Sequence, residues 1–146
     1  MLLAAALLPI VSAAAEPGDA PAIAAMLRTM FDKPGVTLQV APVVVSGAHA
    51  IADWSQGEAG GRALLRRRGA AWTVVLCAGD AIRSRAALVQ AGVAPDDAGR
   101  LAHDLAAAER ALSPDVLARF SRFDGIVTMG PSGEHPPAAH AAPAAR

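Results

Sequence analysis

The chain has 146 residues, about the length of one domain. Hydrophobic residues make up 53% of it and charged residues 18%, so a core is available and disorder of the whole chain is disfavoured. The 13 basic residues balance the 13 acidic ones, which argues against nucleic acid as the main partner because phosphate binding needs a basic surface.

The first residues are apolar and end in small side chains, as in a secretory signal peptide. Residues 1–15 are therefore predicted to be a signal peptide cleaved between Ala13 and Glu16, and the mature protein is expected in the periplasm. The run is shorter than the ~20 apolar residues that span a bilayer, and no transmembrane segment is predicted in the mature chain. The alternative is a buried N-terminal helix, which Pro9 disfavours.

The mature chain is predicted to begin with a helix, because apolar residues recur at helical spacing from Pro21 onwards and a Pro-Gly pair follows. The residues predicted on its packed face are Ile23, Met26, Leu27, Met30 and Phe31.

Four strands are predicted next, over residues 36–45, 49–54, 62–67 and 72–77. Pro42 marks an edge or a bulge. A flexible glycine-rich connection is expected before the third strand. Short turns between successive strands indicate an antiparallel meander.

Three further helices are predicted after the meander. Asp80 is expected to cap a helix over residues 81–91, Pro95 opens a second helix, and Ser113 with Pro114 opens a third. A short strand over residues 125–129 ends the domain.

The predicted fold class is therefore α+β, with an N-terminal helix packed on a four-stranded antiparallel meander, followed by three helices and a short strand. This arrangement resembles cystatin-like or NTF2-like architectures, an analogy of fold that says nothing about activity. Residues 16–129 are predicted to form a single domain. Residues 130–146, rich in Pro, Ala and His, are predicted to be a disordered tail with too little apolar area to order itself.

Cys77 is the only cysteine, so no internal disulfide can form. It ends an apolar strand just before Asp80, where a helix N-terminus would lower its pKa and make it a nucleophile or a soft-metal ligand. The alternative is a small buried hydrophobe, the commonest role of a free cysteine.

Met129, His135 and His140 carry thioether and imidazole groups, which are reasonable copper ligands. With Cys77 they form the candidate metal-binding set. The alternative is a solvated tail without the preorganisation that a tight site needs. No phosphate loop, nucleophile elbow or zinc-helix motif is present, and no catalytic residue is assigned.

Three stretches of the sequence carry a family resemblance: residues 42–57, 60–67 and 72–80. Their most specific part combines Asp53, Trp54, Gln56 and Gly57 with a Gly-Gly pair before Arg62. On these residues the chain resembles the proteins named copper uptake system-associated protein over nearly its whole mature length. The resemblance implies an envelope protein that works with copper-acquisition components, with copper as its candidate ligand, and it implies neither a mechanism nor a ligand set.

Three hypotheses follow. The first is a non-enzymatic periplasmic accessory protein of copper uptake, which binds copper weakly or binds a copper-handling partner. The second is a cystatin-like protein-binding module unrelated to copper, which presents the loop at 57–61 and the arginine turn at 66–68. The third is a small NTF2-like enzyme with a pocket lined by Trp54, Asp53 and Gln56. The candidate partner-binding residues are Asp53, Trp54, Gln56, Gly57 and Arg62.

Overall fold

The structure of the protein, a computed structural model, describes residues 18–130. The predicted signal peptide at residues 1–15 and residues 131–146 of the predicted tail lie outside the described residues. None of the helices within residues 18–130 combines the length and apolar character needed to cross a bilayer.

The elements follow the predicted order of helix, meander, helices and short strand. They are α1 (Asp19–Phe31), β1 (Gln39–Ser46), β2 (His49–Gln56), β3 (Ala59–Arg68), β4 (Ala71–Ala78), a 3₁₀ turn (Asp80–Ile82), α2 (Arg85–Gln90), α3 (Pro95–Glu109), α4 (Pro114–Ser121) and β5 (Ile126–Thr128). The strands form one antiparallel sheet in chain order, so the α+β class and the meander are confirmed. The last strand adds a fifth member to the sheet.

Helices cover both faces of this sheet, because side chains alternate along each strand. Ala50 and Ala52 of β2 belong to the core beneath α1. Ile51, between them, belongs to the core beneath α2 and α3. Asp53 points to the same side as Ile51, while Trp54 packs against the core beneath α1. The result is three layers, with the sheet in the middle.

Irregular pairing interrupts the sheet at two places. β1 is an edge strand whose register with β2 shifts between Val40 and Val43, so the predicted edge or bulge at Pro42 is confirmed. The β3–β4 register shifts between Leu64 and Leu65, which leaves Val75 as an extra residue in β4. This second bulge reverses the alternation of side chains along β4.

The first turn of α1 is tied to the β3–β4 hairpin through a buried carboxylate. Arg67 Nη2 donates to one oxygen of Asp19, and Trp72 Nε1 donates to the other at 3.3 Å. The Arg67 guanidinium also lies 4.4 Å from the centroid of the Trp72 ring, a cation–π distance. Further along α1, Ile23 is fully buried, whereas Met30 is 41% exposed and the prediction that it packs inward is wrong.

The glycine pair before Arg62 belongs to a strand, because β3 begins at Ala59, and the prediction of a flexible connection there is wrong. A Cβ on Gly60 would lie 2.6 Å from the carbonyl oxygen of Arg119 in α4. These glycines allow other parts of the chain to approach the sheet closely.

The helix predicted over residues 81–91 starts later than expected. The 3₁₀ turn comes first, and α2 begins at Arg85, where the Ser84 hydroxyl accepts a hydrogen bond from the Ala87 amide at 3.2 Å. Ser84, not Asp80, is therefore the capping residue. The Asp80 carboxylate instead accepts from Arg62 at 3.0 Å.

Replacing Gly60 with alanine is expected to lower the free energy of unfolding by about 1–3 kcal/mol, because the added methyl meets a backbone carbonyl that cannot rotate away. Urea unfolding followed by circular dichroism gives the value. Gly99→Ala is the matched control, since a Cβ there would meet the Arg85 side chain at an ordinary 3.6 Å. That substitution, on α3, is expected to raise stability by up to about 1 kcal/mol. Equal losses at the two positions would contradict the packing argument.

Candidate functional site

A cavity of about 200 Å³ lies between α1 and the sheet. Its lining is mainly apolar. The residues that line this α1-side cavity are Leu27, Phe31, Lys33, Leu38, Trp54, Gln56, Ala63, Cys77, Phe123, Val127 and Met129. Mostly apolar walls with a few polar groups are the usual form of a small-molecule site, which makes the cavity the candidate functional site.

Two of the predicted metal ligands, Cys77 and Met129, line this one cavity. Cys77 lies in β4 between Ala63 of β3 and Val127 of β5. Met129 directly follows β5, and its amide donates to the carbonyl oxygen of Val75 at 2.9 Å. The last strand and the β4 bulge thus bring the two sulfur-bearing side chains to the α1 face. The other two predicted ligands, the tail histidines, lie outside the described residues.

The Cys77 thiol is buried, with 5% of the residue exposed. Burial raises its pKa to about 11, so the thiol is protonated at neutral pH. The prediction of a lowered pKa at a helix N-terminus is wrong, and the thiol is buried, as the alternative of a small hydrophobe expects. Cys77 becomes a metal ligand only when its proton is released on binding.

Aromatic rings form one wall of the cavity, and an amide fixes its edge. The rings of Trp54 and Phe123 meet edge to face, with centroids 6.0 Å apart and planes at 84°. The Gln56 side-chain amide donates to the carbonyl oxygens of Phe31 at 3.0 Å and Val36 at 3.1 Å. This fixes the loop after α1 against the end of β2.

Within residues 18–130, no group of three or more His, Cys, Asp or Glu side chains is arranged to hold a metal ion. A metal in the α1-side cavity would therefore depend on sulfur ligands. This donor set suits a soft ion such as Cu(I) and does not suit Mg²⁺ or Ca²⁺, which prefer oxygen.

A buried charge cluster of Arg62, Asp53 and Glu109 lies on the opposite face of the sheet, and Asp80, whose side chain is 58% exposed, pairs with it from the surface. Arg62 of β3 is 1% exposed, Asp53 of β2 0% and Glu109 of α3 2%. Arg62 Nε donates to Glu109 at 2.7 Å, and Arg62 Nη1 donates to Asp80 at 3.0 Å. The guanidinium also lies 5.7 Å from the ring centroid of Phe120 in α4. One side chain of β3 therefore connects the sheet to α3, to the 3₁₀ turn and to α4.

Asp53 is the poorly satisfied member of the buried charge cluster. It lies 3.7 Å from Arg62 Nε, and neither carboxyl oxygen has a hydrogen-bond partner among the described residues. Burial and, next, repulsion from Glu109 raise the pKa of Asp53 to about 8. The neutral acid is thus the main form at pH 7, and it leaves the Arg62–Glu109 pair balanced in charge.

The predicted partner-binding residues are divided among three places. Asp53 and Arg62 are buried in the charge cluster and have no surface to offer a partner. Trp54 and Gln56 line the α1-side cavity. Gly57 lies exposed in the turn between β2 and β3. The three side chains predicted for an enzyme pocket are therefore split between the two faces of the sheet.

The pairing of Arg62 with Glu109 is absent from the sequence-based expectations, although one signal for it exists. Glu109 follows Leu105 by four residues and so continues the apolar stripe of α3. A charged residue on a buried stripe indicates a buried partner of opposite charge. The sequence alone does not say which arginine this is.

Comparisons with protein-family models, curated proteins and solved structures found no match for this chain. The charge cluster is largely sealed beneath α3 and α4, whereas the cavity reaches the surface beside the exposed Lys33.

Arg62→Met is expected to lower the free energy of unfolding by about 3–5 kcal/mol, because Glu109 would lose its buried partner and keep only the half-exposed Arg83, 3.1 Å from its other oxygen. Arg66→Met is the matched control on the same strand, where the side chain is exposed, and it should change stability by less than about 0.5 kcal/mol. Urea unfolding of both variants makes the comparison. A similar, small effect at the two positions would show that the charge cluster does not hold the layers together.

The raised pKa of Asp53 predicts a pH dependence of stability. Between the ordinary value of 3.8 and the folded value of about 8, the folded chain holds a proton that the unfolded chain has lost. The free energy of unfolding should therefore fall as pH rises through this window, by up to about 1.4 kcal/mol per pH unit, and level off above it. Asp53→Asn should remove this slope, as measured by urea unfolding at several pH values.

Asp97 predicts a pH dependence of stability of the opposite sign, which Asp97→Asn should remove. The Ser46 hydroxyl, as the main cause, holds the pKa of Asp97 below its usual value. Its stabilisation is therefore present above the ordinary pKa and is lost as pH falls through the folded value. An Asp53→Asn variant that kept the wild-type slope between pH 4 and 8 would contradict the assignment of that slope to Asp53.

Proposed function

We propose that the chain is a non-enzymatic periplasmic protein associated with copper uptake, and that it holds Cu(I) weakly in the α1-side cavity. The observation that carries the proposal is that Cys77 and Met129 line the same cavity. Thiolate and thioether are soft ligands that favour Cu(I). The family resemblance supports the association with copper, and the signal-like sequence at residues 1–15 supports export.

Weak binding follows from the chemistry of the cavity. Two sulfur ligands are fewer than a tight site requires. The Cys77 proton, held with a pKa of about 11, must also be released before the thiolate can bind. A site with these properties takes up an ion reversibly and can pass it on, which suits an accessory protein that serves an envelope copper-uptake partner. His135 and His140, which follow Met129 in the chain, are proposed as additional ligands.

The cystatin-like protein-binding module unrelated to copper is the second candidate. The observation that favours it is the β3–β4 hairpin, where Arg66 and Arg68 are exposed. Neither makes an ion pair with a carboxylate of residues 18–130. Two free guanidinium groups beside a turn would attract an acidic protein surface.

The small NTF2-like enzyme is the third candidate and has less support. It requires a carboxylate in the concave pocket, and Asp53 points away from the α1-side cavity. Among the described residues that line the cavity, none carries a carboxylate. General acid–base chemistry there would have to use another group.

A Cu(I) titration of the mature chain against a competing chelator, under reducing conditions, tests the copper proposal. We expect one equivalent to bind, and the affinity to rise by about tenfold per pH unit near neutrality because the thiol must lose a proton. Cys77→Ser and Met129→Leu should each weaken binding by about tenfold or more. Met30→Leu is the matched control, because Met30 is exposed and lies outside the cavity lining.

A chain ending at Gly130 separates the cavity from the tail. If this shortened chain loses Cu(I) while Cys77→Ser and Met129→Leu keep it, the tail histidines are the ligands and the cavity is not the site. If the full mature chain binds Cu(I) no more tightly than an unrelated peptide does, direct binding is ruled out and only the partner-binding form of the proposal remains.

A further inference from the structure

The α1-side cavity is larger than one ion requires. Its volume is about 200 Å³, and an apolar cavity of about 150 Å³ in another protein already accepts benzene. An ion held by Cys77 and Met129 would occupy the end where β4 and β5 meet. The remaining space is roughly that of a six-membered ring with a short substituent.

The walls of this space suit an aromatic ring. Trp54 and Phe123 already meet edge to face, 6.0 Å apart, and Phe31 adds a third ring from the end of α1. A ligand ring packed against this pair can use the same edge-to-face geometry, which contributes more than area burial alone. Aliphatic contact with Leu27 and Leu38 completes the apolar lining.

One cationic side chain, that of Lys33, lies at the mouth of the α1-side cavity. Lys33 lines the cavity and is exposed to solvent. Its ammonium makes no ion pair with a carboxylate of residues 18–130. The neighbouring Asp32 carboxylate is occupied, because it accepts a hydrogen bond from the Leu38 amide at 2.7 Å. With no acidic side chain in the described lining, the charged group that an anion meets there is the Lys33 ammonium.

We propose that the α1-side cavity binds a small aromatic carboxylate, with the ring against Trp54 and Phe123 and the carboxylate beside Lys33. The inference rests on the proposed function only in taking this cavity as a binding site. It needs no metal, since the rings and the ammonium supply the recognition. The apolar interior selects a hydrophobic ring, and Lys33 selects a negatively charged group attached to that ring.

Calorimetric titration of the metal-free mature chain with phenylacetate and with neutral 2-phenylethanol tests this proposal. Phenylacetate should bind one to one with a Kd of about 1 mM or tighter. It should bind about three- to fivefold more tightly than the alcohol, the advantage expected of one partly exposed ion pair. Lys33→Gln should remove that advantage while the alcohol binds as before.

Variants that fill the cavity provide a second test of the proposal. Ala63→Val and Val127→Phe add volume from two different strands, and each should abolish binding of both ligands. Circular dichroism shows which variants remain folded, and either one alone answers the question. Absence of saturable binding to the wild-type chain overturns the proposal. So does equal affinity for the acid and the alcohol in the wild type.

The outcome can be separated from that of the copper proposal. The titration contains no copper, so a failure to bind Cu(I) leaves its result standing. Lys33→Gln removes a group that is not a proposed copper ligand and should leave the Cu(I) affinity unchanged. Loss of Cu(I) affinity in that variant would count against the separate role given to Lys33.

Discussion

The arrangement of this protein depends on the need to neutralise one buried guanidinium. Arg62 lies in the middle of the sheet, where a charge is tolerated only with partners of opposite charge. Those partners come from different elements, Glu109 from α3 and Asp80 from the 3₁₀ turn. Satisfying Arg62 therefore fixes the positions of the elements that cover one face of the sheet. The fit is imperfect at Asp53, which adapts by staying protonated.

The buried charge cluster and the apolar cavity lie on opposite faces of the sheet. Because neighbouring residues of a strand point to opposite sides, Arg62 and Asp53 occupy one side while Ala63 and Trp54 occupy the other. The cavity on the α1 face is therefore lined mainly by aliphatic and aromatic side chains and by the sulfur-bearing Cys77 and Met129. Its walls come from α1, from four strands and from the segment after α4. The cavity is consequently a product of the whole domain, and Met129 completes it only after β5 has paired with β4.

Local pattern is enough to predict much of the fold, and non-local contact explains what it misses. The short turns correctly predict an antiparallel meander, and Pro42 correctly predicts an edge or a bulge. Gly60 is misread as part of a loop, since its role is set by the carbonyl of Arg119 in a distant helix. The Arg62–Glu109 bond joins residues 47 positions apart, and the local pattern shows that Glu109 needs a buried partner without showing which arginine supplies it. Ligand chemistry groups Cys77 with Met129 in the sequence, but their place in one cavity depends on the pairing of β5 with β4.

The bulge at Val75 determines the chemical surroundings of the only thiol. Val74 packs beneath α1, and two-residue periodicity would send Cys77 to the opposite side, toward Arg62. The extra residue reverses this parity, so Leu76 packs beneath the later helices and Cys77 joins the core beneath α1. An insertion or deletion of one residue in β4 would thus exchange a hydrocarbon environment for an ionic one without altering the cysteine itself. At this position the length of the strand, as much as the identity of the residue, specifies the chemistry.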